Sequence, residues 1–296
     1  MFAHEHFRER VNRWELSAQR LAFAASRPQT GAMPFALSLA GKVALITGGS
    51  RGIGAATVRM FAAADAKVAF SYQRARSQAD ELAAECGSAN CHAIASDLNS
   101  PEAARKLVAA TVEHFGRLDI LVANHGVWPA EDVPINRMSD QQWRSTISIN
   151  LDSVFGLVKY SVAQMKSQMK AQKRASGAAG HIVLISSTSG QRGEAFHCDY
   201  SATKGAIISL TKSLGAELAK DGIYVNCVAP GWVDTDMSKP ALDDPQTGEV
   251  IRRTIPLGRV GKPEEIAAPI LFLCTEHAGF ITGEIFNVNG GAVLVG

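Results

Sequence analysis

The stretch Val43-Ala44-Leu45-Ile46-Thr47-Gly48-Gly49-Ser50-Arg51-Gly52-Ile53-Gly54 decides the fold of this chain. A short β-branched and apolar run gives way to clustered glycines, and a helical pattern follows from Ala55. Glycines between a strand and a helix permit a tight turn, close approach of backbone to a pyrophosphate, and close packing of helix on strand. The helix N-terminus then faces the anion with unpaired N–H groups. A plain βα turn would also accept glycine; the position after a first strand and before a helix is what favours phosphate binding. Thr47, Gly48, Ser50, Arg51, Gly52, Ile53 and Gly54 are therefore candidate cofactor residues.

Outward from this turn, short apolar runs alternate with longer amphipathic stretches, the pattern of repeated βαβ units and a parallel sheet. Strands are expected at Val43–Ile46, Val68–Tyr72, Cys91–Ala95, Ile120–Ala123, His181–Ser186, Tyr224–Ala229 and Glu284–Val288. Ser100-Pro101 opens a helix as N-cap and first helical residue, and Gly116 closes it. Longer helices are expected over Leu151–Arg174 and Asp199–Lys220, with Ala171–Gly180 a surface loop. The fold class implied is α/β: a single Rossmann-type, doubly wound, parallel seven-stranded sheet with helices on both faces.

The 296 residues suit one large domain, expected over 39–296 and preceded by an extension over 1–38. That extension mixes Arg8, Arg10, Arg13, Arg20 and Arg27 with Glu5, Glu9 and Glu15, unlike a transit peptide, and lacks the apolar core of a secretory signal. It reads as a poorly ordered segment. Thirty basic and 28 acidic side chains leave a formal charge of +2, which gives no footprint for nucleic acid or membrane. No apolar stretch approaches the roughly 20 residues of a spanning helix. Five cysteines without a C-x-x-C pair or zinc spacing point to a reducing, cytoplasmic compartment and to no metal.

Cofactor choice is written at the end of the second strand. An acid there takes the ribose hydroxyls of NAD and repels the extra phosphate of NADP. The strand ends instead in Ser71-Tyr72-Gln73-Arg74, and Arg51 and Arg74 offer charge-assisted hydrogen bonds to a 2′-phosphate. NADP(H) is the preferred cofactor, with NAD(H) as the second choice.

Tyr200-Ser201-Ala202-Thr203-Lys204 opens a helical stretch, so phenol and ammonium share a face at i, i+4. A tyrosine titrating near ~10 is a poor acid at neutral pH, and a fixed ammonium lowers that value. Ser187 follows an apolar strand, and strand ends in open α/β sheets are where ligands bind.

These features together resemble the short-chain dehydrogenase/reductase family, whose turn is Thr-Gly-x-x-x-Gly-x-Gly and whose catalytic groups are a Ser and a Tyr-x-x-x-Lys. The likeness runs from about Leu39 to the C-terminus. By that resemblance Asn150 fills the place of the fourth catalytic residue and holds a water toward Lys204. Tyr200 is then the acid in reduction, Lys204 lowers its pKa and holds the nicotinamide ribose, and Ser187 polarises the carbonyl. The resemblance also implies Asp97 and Leu98 at the adenine. Pro230-Gly231-Trp232-Val233-Asp234-Thr235 falls at the nicotinamide, with the Val233 backbone and the Thr235 hydroxyl on its amide and Trp232 as packing.

Departures from the family pattern are few. Its Asn-Asn-Ala-Gly appears as Ala123-Asn124-His125-Gly126, where Asn124 and Gly126 remain cofactor candidates and His125 reads as a packed, hydrogen-bonded histidine. Asn289 stands for a frequent Asp and reads as structural. Met237–Leu257 reads as an irregular lid.

Within the family the likeness is to 3-oxoacyl-acyl-carrier-protein reductases, which implies a carrier-linked carbonyl substrate and an acyl carrier protein as partner. The basic run Lys166, Lys170, Lys173, Arg174 suits an acidic carrier, and equally a solvated helix end. A dehydrogenase of sugars, polyols or other small secondary alcohols shares the same motifs. A non-catalytic dinucleotide sensor is the reading from another class, and should lack one of the four catalytic groups. The two long helices resemble those that pair in the family's homodimers and homotetramers.

Overall fold

The computed structural model describes residues 37–172 and 178–295. Its strands are β1 (Val43–Ile46), β2 (Lys67–Tyr72), β3 (Cys91–Ala95), β4 (Ile120–Ala123), β5 (Gly180–Ile185), β6 (Ile223–Pro230) and β7 (Ile285–Val288). Between them run α1 (Gly52–Ala63), α2 (Arg76–Glu85), α3 (Pro101–Phe115), α4 (Asp140–Ile147), α5 (Ser153–Gln172), α6 (Thr188–Arg192), α7 (Cys198–Leu218), α8 (Lys239–Asp243), α9 (Pro245–Arg253) and α10 (Pro263–Leu273).

All neighbouring strands pair in parallel, in the order β3-β2-β1-β4-β5-β6-β7. Chain order reverses between β1 and β4, and at such a switch point the crossovers diverge to leave a crevice beyond the strand ends. Side chains alternate between faces along each strand, so one sequence feeds two cores. Ala44, Ile46, Val68, Phe70, Val122 and Val183 pack with Val58 and Phe61 of α1 and Ile266 and Ile270 of α10. Leu45, Leu121, Ile182, Leu184 and Cys227 pack with Leu107 of α3, Leu157 of α5 and Ile207 of α7. Because both faces are covered, β1 reads Val-Ala-Leu-Ile without polar alternation, and all four residues are buried.

Local signals position these elements. The Ser100 hydroxyl accepts from Ala103 N at 3.3 Å, Pro101 opens α3, and Gly116 ends it in the left-handed region at φ 78°. The expected Leu151 helix starts at Ser153, because the preceding turn, Ser148–Asp152, is a π-helix. Its expected end at Lys173 and Arg174 lies outside the described residues, as do the expected 1–38 extension up to residue 36 and residues 173–177 of the Ala171–Gly180 loop. Leu37 packs on the first core and Leu39 is buried in it.

The expected irregular lid over Met237–Leu257 is corrected: it holds helices α8 and α9. Pro240 and Pro245 lie in the first turns, where proline has no helical N–H to lose, and the Asp244 carboxylate caps Thr247 N at 2.7 Å. Leu242, Ile251 and Ile255 form a small core of their own, with Trp232 against it. No described helix is long and apolar enough to cross a membrane.

Candidate active site

A cleft of about 830 Å³ lies beyond the carboxyl ends of the strands, within the ~300–1,000 Å³ usual for ligand sites. Gly48, Ser50, Arg51, Gly52 and Ile53 of the glycine turn line one wall. Tyr72, Arg74, Asp97 and Leu98 line the end beside β2 and β3, and Asn124 and Gly126 the floor after β4. Ser187, Tyr200 and Lys204 line the far end with Pro230, Gly231, Val233 and Thr235. Three expected residues, Thr47, Gly54 and Asn150, are not in this wall.

Thr47 and Gly54 act from behind it. The buried Thr47 hydroxyl accepts from the backbone N of Asn124 at 3.0 Å and of His125 at 3.2 Å, which ties the β1 turn to the end of β4. The Asn124 amide donates to Thr47 O at 3.0 Å. A Cβ at Gly54 would stand 2.1 Å from Gly48 O, so only glycine lets α1 fold back this closely. No side chain caps the N-terminus of α1, leaving its first N–H groups free for an anion. A glycine turn, an uncapped helix end and a cleft of this size fit a bound dinucleotide.

At the β2 end there is no acid. Gln73 donates to Asp97 at 2.7 Å, and Arg74 is exposed. Arg51 Nη1 lies 3.6 Å from Asp236, and both side chains are largely exposed.

The chemistry-bearing end is built on β5, α6 and α7. Ser187 is the N-cap of α6, its hydroxyl accepting from Ser189 N at 3.1 Å. Three bonds fasten this turn to α7: Ser189 to Ser201 at 2.6 Å, the Ser186 hydroxyl to Lys204 O at 2.8 Å, and Lys204 Nζ to Ile185 O at 2.8 Å. Lys204 Nζ sits 5.6 Å from the centre of the Tyr200 ring. Fully buried Asp199 accepts from Tyr200 N at 2.9 Å and from Thr146 at 2.8 Å, locking the first turn of α7.

Asn150 sits in the π-helical turn and is 1% exposed. Its amide is spent on protein groups: Oδ1 accepts from Val127 N at 2.8 Å, and Nδ2 donates to Val127 O at 2.9 Å and Thr203 Oγ1 at 3.3 Å. A Cβ on Gly126 would lie 3.2 Å from Asn150 Oδ1 and 3.5 Å from Lys204 Nζ, so both atoms face the same small space.

Burial dominates the electrostatics. It pushes the Tyr200 phenol up to about 12, with the Ser187 contact opposing and Glu194 adding to the rise. This is the reverse of the depression expected from the i, i+4 ammonium: the sequence shows the spacing of Lys204 and not the depth at which the phenol lies. Burial likewise pulls Lys204 down to about 8. His125 is drawn down to about 4 by burial and by the Lys204 charge. Its ring bridges Thr47 at 2.8 Å and Ser153 at 2.7 Å, as expected of a packed histidine. Asn289 is structural too, donating to Val293 O at 2.9 Å and accepting from Gly291 N at 3.0 Å.

The cleft also contains Trp128, Arg192 and Glu194, which the sequence reading left out, Met237, expected only as the start of a lid, and Trp232, expected only as packing. Trp128, two residues beyond Gly126, and Arg192, five beyond Ser187, carried the one available signal, closeness in sequence to a candidate. Among the described residues no group of three or more His, Cys, Asp or Glu is placed to hold a metal ion.

A family model described as enoyl-(acyl carrier protein) reductase matches residues 48–293. The 3-oxoacyl-[acyl-carrier-protein] reductase FabG of Vibrio cholerae is 37% identical over 262 residues, 88% of this chain and all of its own. A short-chain dehydrogenase/reductase from Brucella melitensis, described as a glucose/ribitol dehydrogenase, superposes with a TM-score of 0.77 at 35% identity, covering 86% of this chain and 98% of its own. The 3-ketoacyl-(acyl-carrier-protein) reductase of the same organism, solved with NADH, gives 0.77 at 30% identity, over 87% and 100%.

Proposed function

The chain belongs to the short-chain dehydrogenase/reductase family of oxidoreductases, and from that premise we propose that it reduces a 3-oxoacyl thioester presented by an acyl carrier protein, with NADP(H) as cofactor. The observation that carries this reading is the convergence of Ser187, Tyr200 and Lys204 at one end of a cleft whose other end has Arg51 and Arg74 and no acid on β2. The likeness to 3-oxoacyl-carrier reductases over nearly the whole chain supports the substrate class.

When bound, NADP(H) supplies the hydride. Ser187, held by the N-terminus of α6, hydrogen-bonds the substrate carbonyl and orients it toward Tyr200. Tyr200 gives its proton to the carbonyl oxygen as negative charge develops there; burial keeps the phenol protonated but also makes it a weaker acid, an effect that the Ser187 contact opposes. Lys204 holds the nicotinamide ribose and returns a positive charge to the pocket. Asn150 acts as a positioning residue, fixing Val127 and Thr203 around Lys204. Thr47 and Gly54 shape the turn, while Gly48, Ser50, Gly52 and Ile53 meet the pyrophosphate. Tyr72, Asp97 and Leu98 flank the adenosine, and Asn124, Gly126, Pro230, Gly231, Val233 and Thr235 the nicotinamide half.

Residues 39–296 constitute the catalytic domain in this reading, in a cytoplasmic homodimer or homotetramer. Half-exposed Phe155, with Lys159 over its ring, supports pairing through α5. The carrier contact is reduced from the four-residue basic run, because Lys166 is already bound to Asp221 at 2.6 Å. Lys170 remains, and Lys173 and Arg174 lie outside the described residues.

Purified protein offered NADPH or NADH with an acetoacetyl thioester, and NADP or NAD with a panel of sugars, polyols and secondary alcohols, tests the reading. Thioester reduction with NADPH is the expected leading activity. Faster oxidation of a sugar or alcohol would replace it with the dehydrogenase reading, and inertness toward every member would favour a dinucleotide sensor.

A further inference from the structure

Trp128 and Trp232 face the cleft from two different segments, one after β4 and one after β6. Their rings stand 6.0 Å apart at 83°, so they meet as two walls of an apolar corner. Trp128 is held in that pose: His197, 3% exposed, lies stacked against it at 4.9 Å and 14°. The imidazole in turn donates from Nε2 to Pro129 O at 2.8 Å, and its Nδ1 faces Ala195 O at 3.2 Å. Val133 N donates to Phe196 O at 3.2 Å, tying the same two segments a second time.

Several polar groups beside the corner are already committed, although Arg192 and Glu194 also line the cleft. His197 donates its Nε2–H to Pro129 O, Ser189 is bonded to Ser201, and the Ser186 hydroxyl to Lys204 O. A polyol packed against the two indole faces would leave the hydroxyls on that side without partners, at a cost that an alkyl or aryl group does not incur. A rigid pair of indoles in the same cleft as Ser187 and Tyr200 therefore suits a carbonyl compound with an apolar tail.

We propose that Trp128, braced by His197 and set at right angles to Trp232, is the specificity-determining residue of the substrate end, selecting substrates whose chain beyond the reacting carbonyl is apolar. This rests on the 3-oxoacyl reading for the identity of that chain and on the corner alone for its chemistry.

The test compares wild type, Trp128→Ala and Trp128→Phe on 3-oxobutanoyl, 3-oxohexanoyl and 3-oxo-octanoyl thioesters of N-acetylcysteamine, and on 2-alkanones of matched length, with NADPH. In wild type kcat/KM rises about 3- to 4-fold per added methylene, the value of burying one. In Trp128→Ala the rise falls below about 2-fold per methylene through KM rather than kcat, and Trp128→Phe restores most of it. An unchanged slope in Trp128→Ala, or an equal loss at every chain length that Trp128→Phe does not restore, overturns the proposal. If wild type reduces the alkanones and none of the thioesters, the 3-oxoacyl reading fails by itself, and the alkanone slope still decides the role of Trp128.

Discussion

A Cβ placed on Gly190 would stand 2.4 Å from the carbonyl carbon of Lys204 and 2.7 Å from Gly205 N. The short helix that begins with the Ser187 cap thus rests directly on the backbone of the helix that carries Tyr200 and Lys204. The separation of the Ser187 and Tyr200 hydroxyls, which the proposed mechanism sets against the substrate, follows from this contact, with the Ser189–Ser201 hydrogen bond beside it.

Gly190→Val is expected to force the two helices apart. Overpacking of this kind costs about 1–3 kcal/mol of stability, and a misplacement near 1 Å costs roughly 100-fold in turnover. Gly205→Ala, whose Cβ would meet Gly190 O at an ordinary 3.4 Å, is the matched control and should keep near-native activity. Thermal unfolding and kcat of both variants check the pair.

Lys204 gives the site a pH signature. Burial pulls its folded-state value down to about 8, against an unfolded value of about 10.4. Between those values the native chain binds fewer protons than the unfolded one, so stability rises with pH across that window. Lys204→Met should therefore be more stable than wild type at pH 7, and the difference should shrink as pH climbs from about 8 toward 10.4. Melting curves at stepped pH measure this. If Lys204 acts in its charged form, kcat/KM for reduction also declines above pH about 8.

The contrast between Lys204 and Tyr200 shows what was legible in the sequence. Strands β1 and β4 follow their expected bounds, because a strand buried on both faces writes itself as a short apolar run; the edge strand β3 follows its bounds too, with only Cys91 fully buried. Ser187, Tyr200 and Lys204 come together because the Ser follows a strand and the other two share one helix face. The direction of the tyrosine's shift was not legible, since depth of burial is a property of the packed fold. The π-turn at Asn150 has no signature in residue spacing. Helices α8 and α9 were hidden by Pro240 and Pro245, which resemble breakers until their first-turn positions are known. Trp128, His197 and Trp232 meet only through tertiary structure, being far apart in the chain.

Cofactor preference is expected to respond to a competition at Arg51. Asp236 holds this guanidinium at 3.6 Å on an exposed surface, where such pairs contribute about 0.2–1 kcal/mol. Asp236→Asn should lower KM for NADPH by about 1.5- to 5-fold at low salt, with the gain fading as ionic strength rises. Arg74→Ala should raise KM for NADPH by about 10-fold and leave NADH nearly unaffected, the loss of a charge-assisted bond to the 2′-phosphate. Initial rates with both cofactors at two salt concentrations check both.

The proton step at Tyr200 is tested most directly by single-turnover reduction of an acetoacetyl thioester with bound NADPH, comparing wild type with Tyr200→Phe, whose ring fills the same space without the hydroxyl. The account predicts that Tyr200→Phe binds NADPH within about 3-fold of wild type while the rate of NADPH oxidation falls by at least about 1,000-fold. A Tyr200→Phe enzyme that oxidises NADPH within about 10-fold of the wild-type rate would contradict it.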